Sequence, residues 1–162
     1  DIVQIPSGAF FLVRLEGPRE NRECIFKDAN ATIRRTGTEF QYQLVITRVY
    51  DEGEEDLEDE EDEVQDEKTF LIGEELKLHR DHVENCVSFV WSGFDDDTET
   101  QYEFVCDINT TAHLANTFEL TLLQCLYERK YRRSHFGGTE EEIRALEYKC
   151  VPPRPFPLDR LR

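Results

Sequence analysis

The chain contains no methionine, one tryptophan and only eight glycines in 162 residues. No stretch approaches the roughly 18 consecutive apolar residues of a membrane-crossing helix, and the first residues do not form a basic segment leading into an apolar core. A soluble domain is therefore expected. Enzyme signatures are also missing: there is no G-x-S-x-G elbow, Gly-rich phosphate loop, C-x-x-C pair or H-E-x-x-H helix. Cysteine is sparse and odd in number. Cys24, Cys86, Cys106, Cys125 and Cys150 are widely spaced among apolar neighbours, which fits buried thiols in a reducing compartment better than a disulfide framework. A cytoplasmic, and also nuclear, setting follows as the expectation.

Basic surface is scarce as well. The formal charge is −17, and the segment 51–67 alone holds thirteen of the 36 acidic residues and no basic one. The rest of the chain is close to balanced against its 19 basic residues, so the acidity belongs to one insertion. Nucleic acid is excluded as a partner, because phosphate binding needs a concentrated Lys/Arg surface. The insertion reads as an extended, self-repelling loop without fixed structure, and its functional alternative is a docking arm for a basic protein.

What the chain does have is alternation. Ile5–Arg14 reads as a Pro-Ser-Gly turn followed by a strand, and Glu23–Gly37 as two short strands around Asp28–Asn30. In FQYQLVITR, Phe40, Tyr42, Leu44 and Ile46 share one face. Further strands are expected at Thr69–Ile72, at Glu75–His79, at Cys86–Trp91 with Val87, Phe89 and Trp91 together, and over Tyr102, Phe104 and Cys106. From Thr111 the period changes. Ala115, Phe118, Leu122, Cys125 and Leu126 recur at three-and-four spacing behind a Thr110 or Thr111 cap, with Glu128–Arg133 closing the helix in cations. Leu120, Leu123 and Tyr127 lie off that stripe, so burial on a second side is expected. Thr139 and Glu142 form a capping-box pattern before a short second helix, which Pro152 and Pro153 would end.

About seven strands followed by one amphipathic helix predict a mainly β, pleckstrin-homology-like antiparallel barrel or sandwich whose open mouth the helix covers. An unrelated β-sandwich with a terminal helix is the rival. One domain is expected over 1–133, with the insertion inside it, followed by a short helix and a proline-rich linker over 134–162. Since the chain opens at Asp1 and closes in VPPRPFPLDRLR, it is expected to be a piece of a longer product.

The runs IPSGAFFLVR, ECIFKDANATIRRTG, EFQYQLVITRVYDEGEE and QCLYERKYRRS resemble the N-terminal region of the fungal vacuolar import and degradation protein twenty-seven family, from Ile5 to about Ser134. The resemblance implies a cytoplasmic protein with pleckstrin-homology-like character near the front, a WD-type β-propeller at the back, and a role in delivering cargo for vacuolar degradation. It supplies no catalytic residue.

The expectation is therefore a non-catalytic adaptor with a protein partner and no cofactor. Arg34 and Arg35 are candidate contacts, and as strand neighbours they point to opposite faces. Arg129, Lys130, Arg132 and Arg133 form the one basic cluster of note, whose plainer role is to complement the helix end. The alternative is an anionic-lipid or phosphoinositide reader using Arg14, Arg19, Arg22 and Lys27, although Glu16, Glu20 and Glu23 interrupt that set. A second alternative is a small-GTPase contact of the Ran-binding type, by fold-level analogy. No metal site is expected: His79 and His82 point apart, and Asp95–Glu99 lacks the glycine and the bidentate Glu of a calcium loop.

Overall fold

In a computed structural model the described residues are 1–14, 21–49, 66–95 and 98–148. They form seven strands: β1 (Val3–Arg14), β2 (Asn21–Arg35), β3 (Tyr42–Arg48), β4 (Glu67–Leu71), β5 (His79–Val83), β6 (Cys86–Asp95) and β7 (Thr98–Cys106). Two helices follow, α1 (Ala112–Tyr131) and α2 (Glu140–Arg144). All strand pairs are antiparallel, in one sheet of order β4-β3-β2-β1-β7-β6-β5. The expected mainly β architecture with a C-terminal helix is what the chain forms.

Long β1 and β2 hold the sheet together. The first residues of β1 pair only with β2, while Gly8 and Phe10–Val13 pair with both β2 and β7. Three register shifts between Ile5 and Phe11 bend this pair, as bulges do. Gly8 is needed there, because a Cβ would lie 2.5 Å from both the Phe104 ring and the Val105 carbonyl oxygen. Pro6 and Ser7 thus sit inside a bulged strand, not in a preceding turn.

Alternation then delivers one face to the core. Phe10 and Leu12, Tyr42, Leu44 and Ile46, Phe89 and Trp91, and Tyr102, Phe104 and Cys106 are all buried. The ring of Phe10 stacks on Trp91 at 5.9 Å and on Tyr102 at 5.7 Å, and Phe70 meets Trp91 edge-on at 5.3 Å. Such geometry adds to the area term that aromatic burial already supplies.

Helix α1 starts where Thr111 accepts a hydrogen bond from the Leu114 amide at 3.1 Å. Its stripe Ala115, Phe118, Leu122, Cys125 and Leu126 is buried, as are Leu123 and Tyr127 on the second side. Phe118 reaches the sheet at Phe89, 5.1 Å between ring centres. The capping box of α2 is complete, with Thr139 and Glu142 each bonding the other's backbone amide.

Several expectations are corrected. Residues 23–35 do not form a hairpin around Asp28–Asn30, because β2 runs unbroken to Arg35 while β1 absorbs the irregularity in its bulges. Phe40 precedes β3 in a turn at φ 63°. The expected strand at Glu75–His79 is a 3-10 turn over Glu74–Leu76 closed by Lys77 at φ 51°, and the next strand starts at His79. Helix α2 ends at Arg144, well before Pro152. Of the insertion expected over 51–67, residues 51–65 lie outside the described residues, while Asp66 accepts from the Arg48 amide and Glu67 opens β4. Past Arg133, Ile143 joins the core and Leu146 packs against it. The proline-rich stretch and Cys150 lie outside the described residues.

Candidate functional site

A concavity of about 600 Å³ opens between the β2–β3 turn, the second half of α1 and the turn that follows α1. Each wall has a local cause. Thr36 organises the β2–β3 turn: its hydroxyl accepts from the Thr38 amide at 3.0 Å, and its own amide donates to the Gln41 carbonyl at 3.2 Å. Helix α1 stops where Arg132 takes up a left-handed conformation, φ 57°, and returns its amide to the Glu128 carbonyl at 2.8 Å, a common helix ending. Ser134 then caps a 3-10 turn by accepting from the Phe136 amide at 3.2 Å.

At the base of the pocket lies Glu128, a carboxylate that is 6% exposed. Oε1 accepts the Tyr42 hydroxyl at 2.5 Å, and Oε2 accepts the His135 amide at 2.9 Å and its ring Nδ1 at 2.6 Å. A carboxylate has only lone pairs to offer, so Nδ1 carries the proton in this contact. Burial pushes the Glu128 carboxyl up, but the hydrogen bonds from Tyr42 and His135 outweigh it and leave the group below its ordinary value. Burial, together with donation to Glu128, pushes the Tyr42 hydroxyl up to about 12. Cys125 lines the same cavity, and burial followed by the nearby Glu128 charge raises its thiol strongly. It is a poor nucleophile there, since the thiolate is the reactive form.

The rim is different. Phe136 is 87% exposed and Ile2 is 42% exposed. Arg35 lies over the Tyr42 ring at 6.0 Å, with no carboxylate in ion-pair contact among the described residues.

The structure separates the other candidates. Arg34, on the opposite face of β2 from Arg35, bonds Gln43 at 3.2 Å and lies 3.9 Å from Glu67. Arg129 donates to the Ile72 carbonyl at 3.0 Å and to Glu75 at 2.9 Å, and Lys130 reaches Glu74 at 3.4 Å. Arg133 donates to the Tyr127 hydroxyl at 2.9 Å and lies over the Tyr131 ring. Arg132 serves through its backbone as the helix cap. Three members of this basic cluster therefore tie the helix end to its surroundings. In the lipid set, Arg22 pairs with buried Glu103 and covers the Phe11 ring at 4.9 Å. Lys27 is exposed beside a second, smaller concavity. Arg19 lies outside the described residues, as does the side chain of Arg14. His79 and His82 both sit on β5, an odd number of residues apart and thus on opposite faces. Among the described residues no group of His, Cys, Asp and Glu gathers for a metal, and no helix is long and apolar enough to cross a membrane.

Tyr42, Glu128 and His135 were not singled out from the sequence. One signal was there. Glu128 falls three residues after Cys125, on the buried stripe of α1, where a carboxylate must find donors.

Fold and pocket together define a mainly β domain in which one helix is seated against a seven-stranded antiparallel sheet. Residues 1–147 match the family described as VID27 N-terminal region, and the chain belongs to that family. It is 52% identical over 154 residues to the vacuolar import and degradation protein 27 of Schizosaccharomyces pombe, covering 94% of this chain and 19% of that protein. Against the protein of the same name from Saccharomyces cerevisiae it is 22% identical over 169 residues, covering 93% of this chain and 22% of that protein. The chain thus spans about a fifth of the relatives' length. No solved structure matches it.

Proposed function

We propose that this chain is a non-catalytic protein-interaction module of a larger cytoplasmic protein that works in vacuolar import and degradation. The relatives' names supply the pathway. The sheet order, followed by a helix that buries two sides, supports a pleckstrin-homology-like barrel, a scaffold that presents loops and helix flanks as outer surface. The observation that carries the reading is the division of labour in the pocket. Both oxygens of Glu128 are occupied by Tyr42 and His135, so the buried ionisable groups hold one another, while Phe136 is held outward by the turn that His135 anchors. An apolar side chain fixed in solvent beside a cavity is a preorganised anchor for a partner.

Affinity capture of tagged full-length protein, wild type against a Phe136→Ala/Arg35→Ala double variant, tests this. A defined set of partners lost from the variant is expected, and identical sets from both would defeat the reading. Flotation with anionic liposomes at low salt tests the lipid alternative, which the commitment of Arg22 to Glu103 disfavours.

A further inference from the structure

The pocket carries more than an apolar anchor. Arg35 stands at its edge without a carboxylate partner among the described residues, in a chain of net charge −17. Lys68, Arg80, Arg129 and Lys130 each have surroundings of another kind: Arg80 pairs with Glu119, Arg129 with Glu75, Lys130 with Glu74, and Lys68 is exposed on edge strand β4. The side-chain amides of Gln41 and Gln124, which also line the cavity, make no hydrogen bond among the described residues, so donors remain to be used. Phe40, held in the left-handed region at φ 63°, also lines the cavity. Apolar surface, one uncommitted guanidinium and free amide donors complement an anionic segment that also carries a large apolar side chain.

We infer that the pocket binds a partner-protein segment in which an Asp or Glu lies beside a large apolar residue, the carboxylate going to Arg35 and the apolar side chain against Phe136 and Ile2. This rests on the interaction-module reading and names the partner's chemistry. Glu39, on the turn, also lines the cavity, so an incoming carboxylate is steered toward Arg35 and away from it. The two residues make opposite demands on the same ligand.

The test is selection of a random dodecapeptide phage library on the 162-residue chain, with counter-selection on Phe136→Ala, followed by fluorescence anisotropy of the enriched peptides. Peptides with an acid within two or three positions of Phe, Leu, Ile or Trp are expected. Their affinity should fall at least about fivefold for Arg35→Gln and rise for Glu39→Gln. A merely structural role for either residue predicts no such opposite signs. Pocket-dependent peptides that are basic, or indifferent to Arg35, overturn the proposed chemistry while leaving the interaction module standing. If no peptide depends on Phe136, both readings fall. If sedimentation shows a dimer that Phe136→Ala dissociates, the occupant is a second copy and the proposal is overturned.

Discussion

Glu103 and Glu128 are equally withdrawn from water, at 7% and 6% exposure, yet they are stabilised in different ways. Glu103, on β7, is matched by a formal cation: Arg22 pairs with one oxygen, and the Ser88 hydroxyl donates to the other at 2.7 Å. Glu128, on α1, is held by a phenol, a backbone amide and an imidazole. Removing Glu103 strands the fully buried Ser88 hydroxyl, but Arg22 can turn to water. Removing Glu128 strands a buried hydroxyl and unfastens the turn that carries Phe136. A buried carboxylate on the sheet thus serves that layer, whereas the one at the helix end joins helix, sheet and pocket rim.

The largest expected effect that sharpens this contrast is Glu128→Ala, with a loss of about 3 kcal/mol in urea unfolding, because Tyr42 and His135 lose their acceptor together. Glu103→Ala should cost less, roughly 1–2 kcal/mol, since the Ser88 hydroxyl loses its acceptor but Arg22, 34% exposed, can rehydrate. An equal or larger loss at Glu103 would erase the distinction. Next comes Tyr42→Phe, at about 1 kcal/mol near neutral pH. Because the fold raises the Tyr42 hydroxyl from 10.0 to about 12, its protonated form is favoured by folding. That contribution is complete below pH 10 and disappears between pH 10 and 12, so wild type and Tyr42→Phe should converge there in an alkaline unfolding series.

Acid supplies a smaller test of opposite sign. The carboxyl of Glu128 lies below its ordinary 4.5, so its stabilising contribution is present above that value and is lost as pH falls through the lower folded value. Wild type should lose more stability than Glu128→Gln between about pH 5 and pH 3. Parallel curves would show that Glu128 is not the group being protonated. Smallest of all, Arg34→Ala should change stability by less than about 0.5 kcal/mol, because its contact with Glu67 is long and solvated.

Local chemistry made much of the fold legible. Thr111 and Thr139 were readable as caps because a hydroxyl at the right offset satisfies amides that no other local group can reach. The faces of β3, β6 and β7 were readable because side chains alternate at a period of two. Elsewhere local chemistry misled. Asp28, Ala29 and Asn30 have turn character, yet Ala29 pairs with both Gly8 and Arg48 and continues the strand. Leu76 and Leu78 alternate like a strand, but Leu76 reaches the core from a 3-10 turn whose Gly73 lies against Arg129.

The pocket was the least legible part. Tyr42 and Glu128 are 86 residues apart, and sequence spacing does not bring a hydroxyl to a carboxylate over that distance. Arg34 and Arg35 show both sides of the matter. Their divergence followed from strand geometry alone, but which of the two would meet an acid depended on where β4 placed Glu67.

By itself, the sequence determined most of the element types, the apolar faces of sheet and helix, the helix starts and the concentration of acid in one insertion, since all of these act through neighbours a few residues away. Only the tertiary structure decided which strands bend, which cations are consumed by acids and which remain available, and that Glu128 would be closed off by Tyr42 and His135. Those outcomes depend on contacts between segments far apart in the chain, whose partners are fixed only when the helix settles against the sheet.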